Sequence, residues 1–121
     1  MKQTEMLKKN YEFKTVLTKG RFYVGKQLKV AILKNRRDFK LLGIAISTKN
    51  GKAFQRNKAK RLIRESYKNL ENKIENGYSI VILIKNGIDI NNIRYIDVFN
   101  ELKDTFKKAR IINKIWERKS I

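Results

Sequence analysis

The sequence predicts an α+β domain, a two-layer sandwich of helices packed on a small sheet. Three observations carry that prediction. Residues 26–34 alternate, and residues 41–48 set Leu42, Ile44 and Ile46 two apart on one face, the period of strands. Residues 56–75 repeat their apolar side chains at the period of a helix instead. Tyr78 to Ile84 is a near-continuous apolar run, as expected of a strand covered on both faces. A parallel or mixed pairing follows, because a helix separates the strand at 41–48 from the strand at 78–84.

Taken in order, Asn10 can cap a helix through Lys19, with Phe13, Val16 and Leu17 on one face and Gly20 as its stop. The strand at 26–34 turns Leu28, Val30 and Ile32 to one side, and Asn35 to Phe39 is a polar turn. The strand at 41–48 does the same with Leu42, Ile44 and Ile46. Lys49-Asn50-Gly51-Lys52 breaks it as a basic loop. A short irregular or strand segment is placed here, before the central helix. That helix runs from Arg56 to about Glu75 and buries Ala59, Leu62, Ile63, Ser66, Tyr67, Leu70 and Ile74. Asn76-Gly77 ends it. After the strand at 78–84, a last helix is expected from Asn91 or Asn92 to about Trp116, burying Tyr95, Val98, Phe99, Leu102, Phe106, Ala109, Ile112 and Trp116. Residues 1–121 read as a single domain, with 1–9 and 117–121 as flexible ends.

Composition narrows the function. The 121 residues hold 30 Lys+Arg against 11 Asp+Glu, for a formal net charge of +19. With no Cys and no His, disulfides, imidazole catalysis and the usual zinc sites are excluded. No apolar run approaches the length of a membrane span, and residues 1–10 lack the apolar core of a secretory signal. The expectation is a cytoplasmic, polyanion-binding domain without a membrane partner. Lys, Asn and Ile fill 49 positions and Pro is absent, the bias of AT-rich coding. That bias trades Arg for Lys but does not create the excess of positive charge. Residues 13–64 carry sixteen bases and one acid, Asp38, for a net of +15. Such clustering is the electrostatic footprint of nucleic-acid binding. A peripheral membrane helix would want its bases on one amphipathic helix, whereas here they run through strands as well.

The central helix is the most informative segment. On a helical wheel Lys60, Arg64, Asn57, Lys68 and Arg61 occupy an arc of about 100° bordering the buried face. Like charges four residues apart, and bases in the first turn, each destabilise an isolated helix by a few tenths of a kcal/mol. An external anion would offset both. Arg56, Arg61 and Arg64 are three of only nine Arg in a Lys-rich chain, which suggests sites needing a planar fork for phosphate or a base. The competing reading is a solvated face with Arg64 paired to Asp38 or Glu71.

These residues carry a family resemblance. Gly43-Ile44-Ala45-Ile46-Ser47-Thr48-Lys49-x-Gly51-x-Ala53-x-x-Arg56-Asn57-x-x-Lys60-Arg61-x-x-Arg64-Glu65 resembles the signature of the bacterial ribonuclease P protein subunit. Glu12-Phe13-x-x-Val16-x-x-x-Gly20-Arg21 resembles its first helix, and the similarity is collinear from about Leu7 to Trp116. The resemblance implies an α-β-β-β-α-β-α order, a ribosomal-protein-S5-domain-2-like fold with a left-handed βαβ crossover. It implies that a catalytic RNA subunit, using Mg²⁺ bound mainly by that RNA, removes the 5′ leader of precursor tRNA, and that the protein carries no catalytic residue; no metal ligand is assigned on the protein. Arg56, Asn57, Lys60, Arg61, Arg64 and Lys68 would then bind the catalytic RNA. Phe13, Val16, Leu17, Ser47, Lys49 and Lys52 would line a cleft for the leader, with no further protein partner required. Phe13 has a bland alternative as helix-to-sheet core. Leu17 and Ala31 stand where the family often has aromatics, and Thr48 replaces a Lys; Phe22, Tyr23 or Phe54 are candidates to supply the missing stacking surface.

Two other functions compete. A ribosomal or ribosome-associated protein would bind rRNA without processing anything. A self-sufficient nuclease would cleave alone, but the chain offers no paired carboxylates or phosphate loop in a fitting context.

Overall fold

The computed structural model describes residues 3–113. Five strands form one mixed sheet: β1 Thr4–Met6, β2 Arg21–Val24, β3 Leu28–Lys34, β4 Lys40–Ala45 and β5 Tyr78–Ile84. Three helices accompany it: α1 Asn10–Lys19, α2 Ala53–Lys68 and α3 Tyr95–Lys108. The spatial order is β1-β4-β5-β3-β2, which puts β5 at the centre. β5 runs parallel to β4 and antiparallel to β3, and α2 makes the crossover from β4 to β5. The sheet is therefore mixed, and after β1 the elements follow the α-β-β-β-α-β-α order.

The alternation of side chains explains the layers. Ile80, Ile82 and Ile84 of β5 join Leu28, Val30, Ile32, Leu42 and Ile44 on one face, beneath α2 and α3. Ala59, Ile63 and Tyr67 of α2 and Val98, Leu102 and Phe106 of α3 complete this main core. Val81 faces the other way and packs with Ala31, Leu7 and Val16 of α1, flanked by Phe13, Leu17 and Leu83. The sandwich is thus the sheet with α2 and α3, while α1 covers part of the opposite face.

Several boundaries differ from expectation, each for a local reason. The extra strand lies before β3, not after β4: Arg21 to Val24 pairs antiparallel with Lys29 to Ile32. Residues 1–9, expected to be a flexible end, contain β1, which pairs in parallel with Lys40 to Leu42. A buried hydrogen bond of 2.9 Å between the Thr4 and Tyr67 hydroxyls ties that strand to α2. β4 stops at Ala45, because the Ser47 hydroxyl accepts from the Lys49 amide and starts a 3₁₀ turn at Thr48–Asn50. α2 begins at Ala53, where the Gln55 side chain accepts from the Lys52 amide at 2.8 Å. It ends at Lys68, and a 3₁₀ turn at Glu71–Lys73 carries Leu70 and Ile74 into the core in place of a further helical turn. α3 starts at Tyr95 because the Asp89 carboxylate accepts from Asn91 and Asn92 and holds Ile90–Asn92 in a 3₁₀ turn. Tyr95, expected on the buried face, is exposed. Arg110 takes a left-handed conformation at φ 59°, after which Ile111 and Ile112 turn into the core. Trp116 and residues 117–121 lie outside the described residues.

Gly20 ends α1 as expected, with its amide donating to Val16 O at 2.8 Å. A side chain there would meet that carbonyl at 2.5 Å, so close approach rather than a left-handed backbone demands glycine.

A lysine is built into the interior on the main-core side of the sheet. Lys40 is fully buried, opposite Thr4, and its ammonium donates to Asn76 Oδ1 at 2.8 Å. Burial holds its pKa below the ordinary 10.5, and the nearby Glu71 carboxylate opposes that shift. Between the lowered folded value and 10.5 the unfolded chain binds more protons, so this lysine makes stability rise with pH across that window. Urea unfolding at intervals from pH 7 to 10 checks this: the unmodified chain gains more stability over the range than Lys40→Met. Parallel pH profiles for the two proteins would assign the slope to other groups.

Candidate nucleic-acid interface

Two surfaces emerge on elements that the sheet holds in fixed relation. The first is α2. Its buried stripe of Ala59, Ile63, Ser66 and Tyr67 fixes the helix rotation on the sheet. That rotation leaves Asn57, Lys58, Arg61, Arg64 and Lys68 exposed and Lys60 half-buried. Among the described residues none of these six side chains has a hydrogen-bond or ion-pair partner. Arg64 in particular pairs with neither Asp38 nor Glu71, so the reading of this face as internally neutralised does not hold. Arg56 differs from its neighbours. It is half-buried, and its Nη1 donates to Gly51 O at 2.6 Å, clamping the 47–52 loop against the first turn of α2.

Such a face is built for a polyanion. The cations are fixed on a rigid element and outnumber its single acid, Glu65, and phosphates entering between them would relieve their mutual repulsion. Exposed Asn57 adds an amide able to donate and accept at a base edge or a 2′-hydroxyl.

The second surface is the side of the sheet that α1 leaves partly open. The Phe13 ring lies on Gly43: a Cβ there would meet Phe13 Cε1 at 2.5 Å and Leu7 Cδ1 at 3.0 Å. Gly43 is therefore glycine so that Phe13 can approach the strand. Two residues along the same face of β4, Ala45 opens a groove of about 350 Å³ lined by Lys29, Ser47, Leu83 and Asn86. The structure thus brings Phe13 and Ser47 onto one continuous face. Leu17 is half-buried beside Phe13, and Lys49 and Lys52 are exposed on the loop beyond Ser47. Val16 is only 3% exposed against Ala31 and Val81, so it anchors α1 and offers no surface to a ligand.

Sequence reasoning passed over Lys29 and Val24. Both lie on this open face, Val24 beside Lys29 in the β2–β3 register. Phe22 lies there too, 42% exposed, with Lys29 Nζ 5.9 Å from its ring centre. The alternation Phe22, Tyr23, Val24 was the available signal, and it was missed because a four-residue strand shows barely two periods. The same alternation removes Tyr23 from the stacking candidates, since its side chain packs against the main core. Phe54 lies on neither face of the sheet but on the first turn of α2.

A larger cavity, about 970 Å³, lies between α3 and the β2–β3 turn. Asp97, Glu101 and Asp104 line it together with Lys26 and Lys108, so it lacks the excess of positive charge found on α2. Glu101 Oε1 accepts from the Gln27 and Leu28 amides, each at 2.9 Å, so its work is to hold that turn.

Residues 1–110 match the family described as Ribonuclease P. A ribonuclease P protein component from Clostridium botulinum is 40% identical over 108 residues, covering 88% of this chain and 96% of its own length. The Staphylococcus aureus RNase P protein superposes with a TM-score of 0.77 at 30% identity, over 89% of this chain and 97% of the other. That from Thermotoga maritima gives 0.77 at 27% identity, over 86% and 96%.

The clamp from Arg56 to Gly51 has a measurable consequence. Arg56→Ala removes a charge-assisted hydrogen bond of the kind worth about 1.5–3 kcal/mol. Amide hydrogen exchange at Lys49 and Asn50 is expected to accelerate several-fold while the β5 amides keep their protection. Unchanged exchange in the loop would show that its turn stands without the arginine.

Proposed function

The chain belongs to the ribonuclease P protein family, and from that premise we propose how its two surfaces divide the work of removing a 5′ leader from precursor tRNA. Family membership decides against the ribosomal reading of the basic face. The observation that carries the proposal is the partnerless set on α2: Asn57, Lys60, Arg61, Arg64 and Lys68 share one rigid helix, and among the described residues none makes an ion pair or side-chain hydrogen bond, although exposed Glu65 lies nearby. This face docks on the catalytic RNA subunit. Arg56 contributes indirectly, by fixing the 47–52 loop that joins the two surfaces.

The open face of the sheet holds the single-stranded leader. Phe13 and Phe22 offer ring surface to unpaired bases, and Lys29, Lys49 and Lys52 offer charge to the backbone between them. Leu17 provides apolar contact where the family often has an aromatic ring, and Phe22 supplies the π-face in its place. The hydrolytic chemistry belongs to the RNA with Mg²⁺. Asp97, Glu101 and Asp104 share their cavity with Lys26 and Lys108, and Glu101 Oε1 is engaged by two backbone amides, so that cluster is poorly suited to a cation. The protein's contribution is to hold the RNA and the leader in register, lowering the concentration of Mg²⁺ that the RNA needs, within a cytoplasmic ribonucleoprotein.

The direct experiment adds the protein to a bacterial ribonuclease P RNA at low Mg²⁺ and follows 5′ cleavage of precursor tRNA. Strong stimulation is expected, and none from the protein without the RNA; failure to stimulate would defeat the proposal. Arg61→Ala is expected to weaken binding of the RNA subunit and reduce the log–log salt slope by about 0.7–0.9, the loss of one phosphate contact. An unaltered slope would place Arg61 in bulk solvent. Phe13→Ala is expected to weaken precursor tRNA binding by the holoenzyme about tenfold, within the roughly 1–3 kcal/mol of one stacked base, and to spare mature tRNA. Equal losses for both tRNAs would mean that the ring serves only to pack α1.

A further inference from the structure

Phe54 is 69% exposed, the most exposed of the large apolar side chains among the described residues. It sits on the first turn of α2 beside the 47–52 loop, and nothing in the fold uses it. It has no ring or cation contact among the described residues. Its helical neighbours at three, four and seven residues are Asn57, Lys58 and Arg61, all exposed and without partners. The ring therefore lies at the N-terminal end of the cationic face, between Lys58 and Arg61 on the helical wheel and away from its apolar border. Water-exposed phenyl surface surrounded by uncompensated cations is poorly placed for a protein partner, whose interface core is depleted in charge. It is well placed for a nucleic acid, in which every base has a π-face and phosphates lie on either side.

We infer that Phe54 is a stacking platform for an unpaired base of the catalytic RNA, flanked by Lys58 and Arg61 on the adjoining phosphates and by Asn57 at the base edge. The inference rests on the reading of α2 as the RNA-docking face. It adds to that face a contact that is independent of charge. Lysine and arginine contacts to phosphate accept any sequence, whereas an aromatic platform requires an unstacked base at one position. Phe54 thus selects where on the RNA the helix settles.

The test measures affinity of the full chain for a bacterial ribonuclease P RNA across a salt series, for Phe54→Ala, Phe54→Leu, Phe54→Trp and Arg61→Ala. Phe54→Ala is expected to bind about tenfold more weakly with an unchanged salt slope, because a neutral side chain releases no counterions. Phe54→Leu should bind as weakly as Phe54→Ala, and Phe54→Trp should restore the affinity. The high exposure of the site leaves folding intact, and matching thermal unfolding curves verify it. If Arg61→Ala weakens binding while Phe54→Ala stays within twofold, the helix docks on RNA and the platform is wrong. If Phe54→Leu binds like the unmodified chain, the contact is apolar packing, as a protein partner would also accept, and stacking is overturned. If neither Arg61→Ala nor Phe54→Ala has an effect, the docking face itself is misassigned.

Discussion

β5 is apolar on both faces, and the rest of the fold is organised by the need to cover it twice. Ile80, Ile82 and Ile84 demand a thick layer on one side, which α2 and α3 supply. Val81 and Leu83 demand a thinner one on the other, and α1, ten residues long, covers only part of it. This asymmetry produces the functional geometry. A helix whose inner stripe is committed to the thick layer must turn its outer arc to solvent, and that arc holds the arginines. A face only partly covered leaves an aromatic-lined shelf beside a strand end. Both surfaces are by-products of burying one strand, and both are held by it at a fixed separation.

Electrostatics then imposes a second constraint. A chain with a net charge of +19 must fold against its own repulsion. The described part of the molecule keeps most of its acids off the α2 face: Asp97, Glu101 and Asp104 line the cavity against α3, and Asp97 pairs with Arg94 at 2.9 Å. The segregation concentrates positive potential on the α2 side. Where a lysine is taken into the core, as Lys40 is, the burial is accompanied by an amide acceptor and a nearby carboxylate.

Much of this was legible before any coordinates, because long amphipathic segments announce themselves. The inner face of α2, the double burial of β5 and the basic arc all follow from period and charge alone. What escaped notice is short or depends on partners distant in sequence. β1 has three residues and owes its place to pairing with β4 and to the Thr4–Tyr67 hydrogen bond, 63 residues apart. β2 has four residues, too few to display a period. The ends of α2 and α3 are hidden from the sequence because apolar spacing continues through Leu70, Ile74, Ile111 and Ile112 although the backbone does not remain helical there. The family resemblance places Val16 in the cleft, while the packing of α1 leaves it no free surface.

The two edges of the sheet have a bearing on solubility. Isoleucine- and valine-rich strands are natural templates for strand addition, and a chain without proline lacks the simplest means of blocking it. Here the outermost strands are the shortest ones, three residues in β1 and four in β2, with Glu5 and Arg21 exposed along them. An incoming strand would find only one or two ladder hydrogen bonds to make before the edge runs out. The long, apolar strands β3, β4 and β5 stay in the interior of the sheet, where both edges of each are already paired.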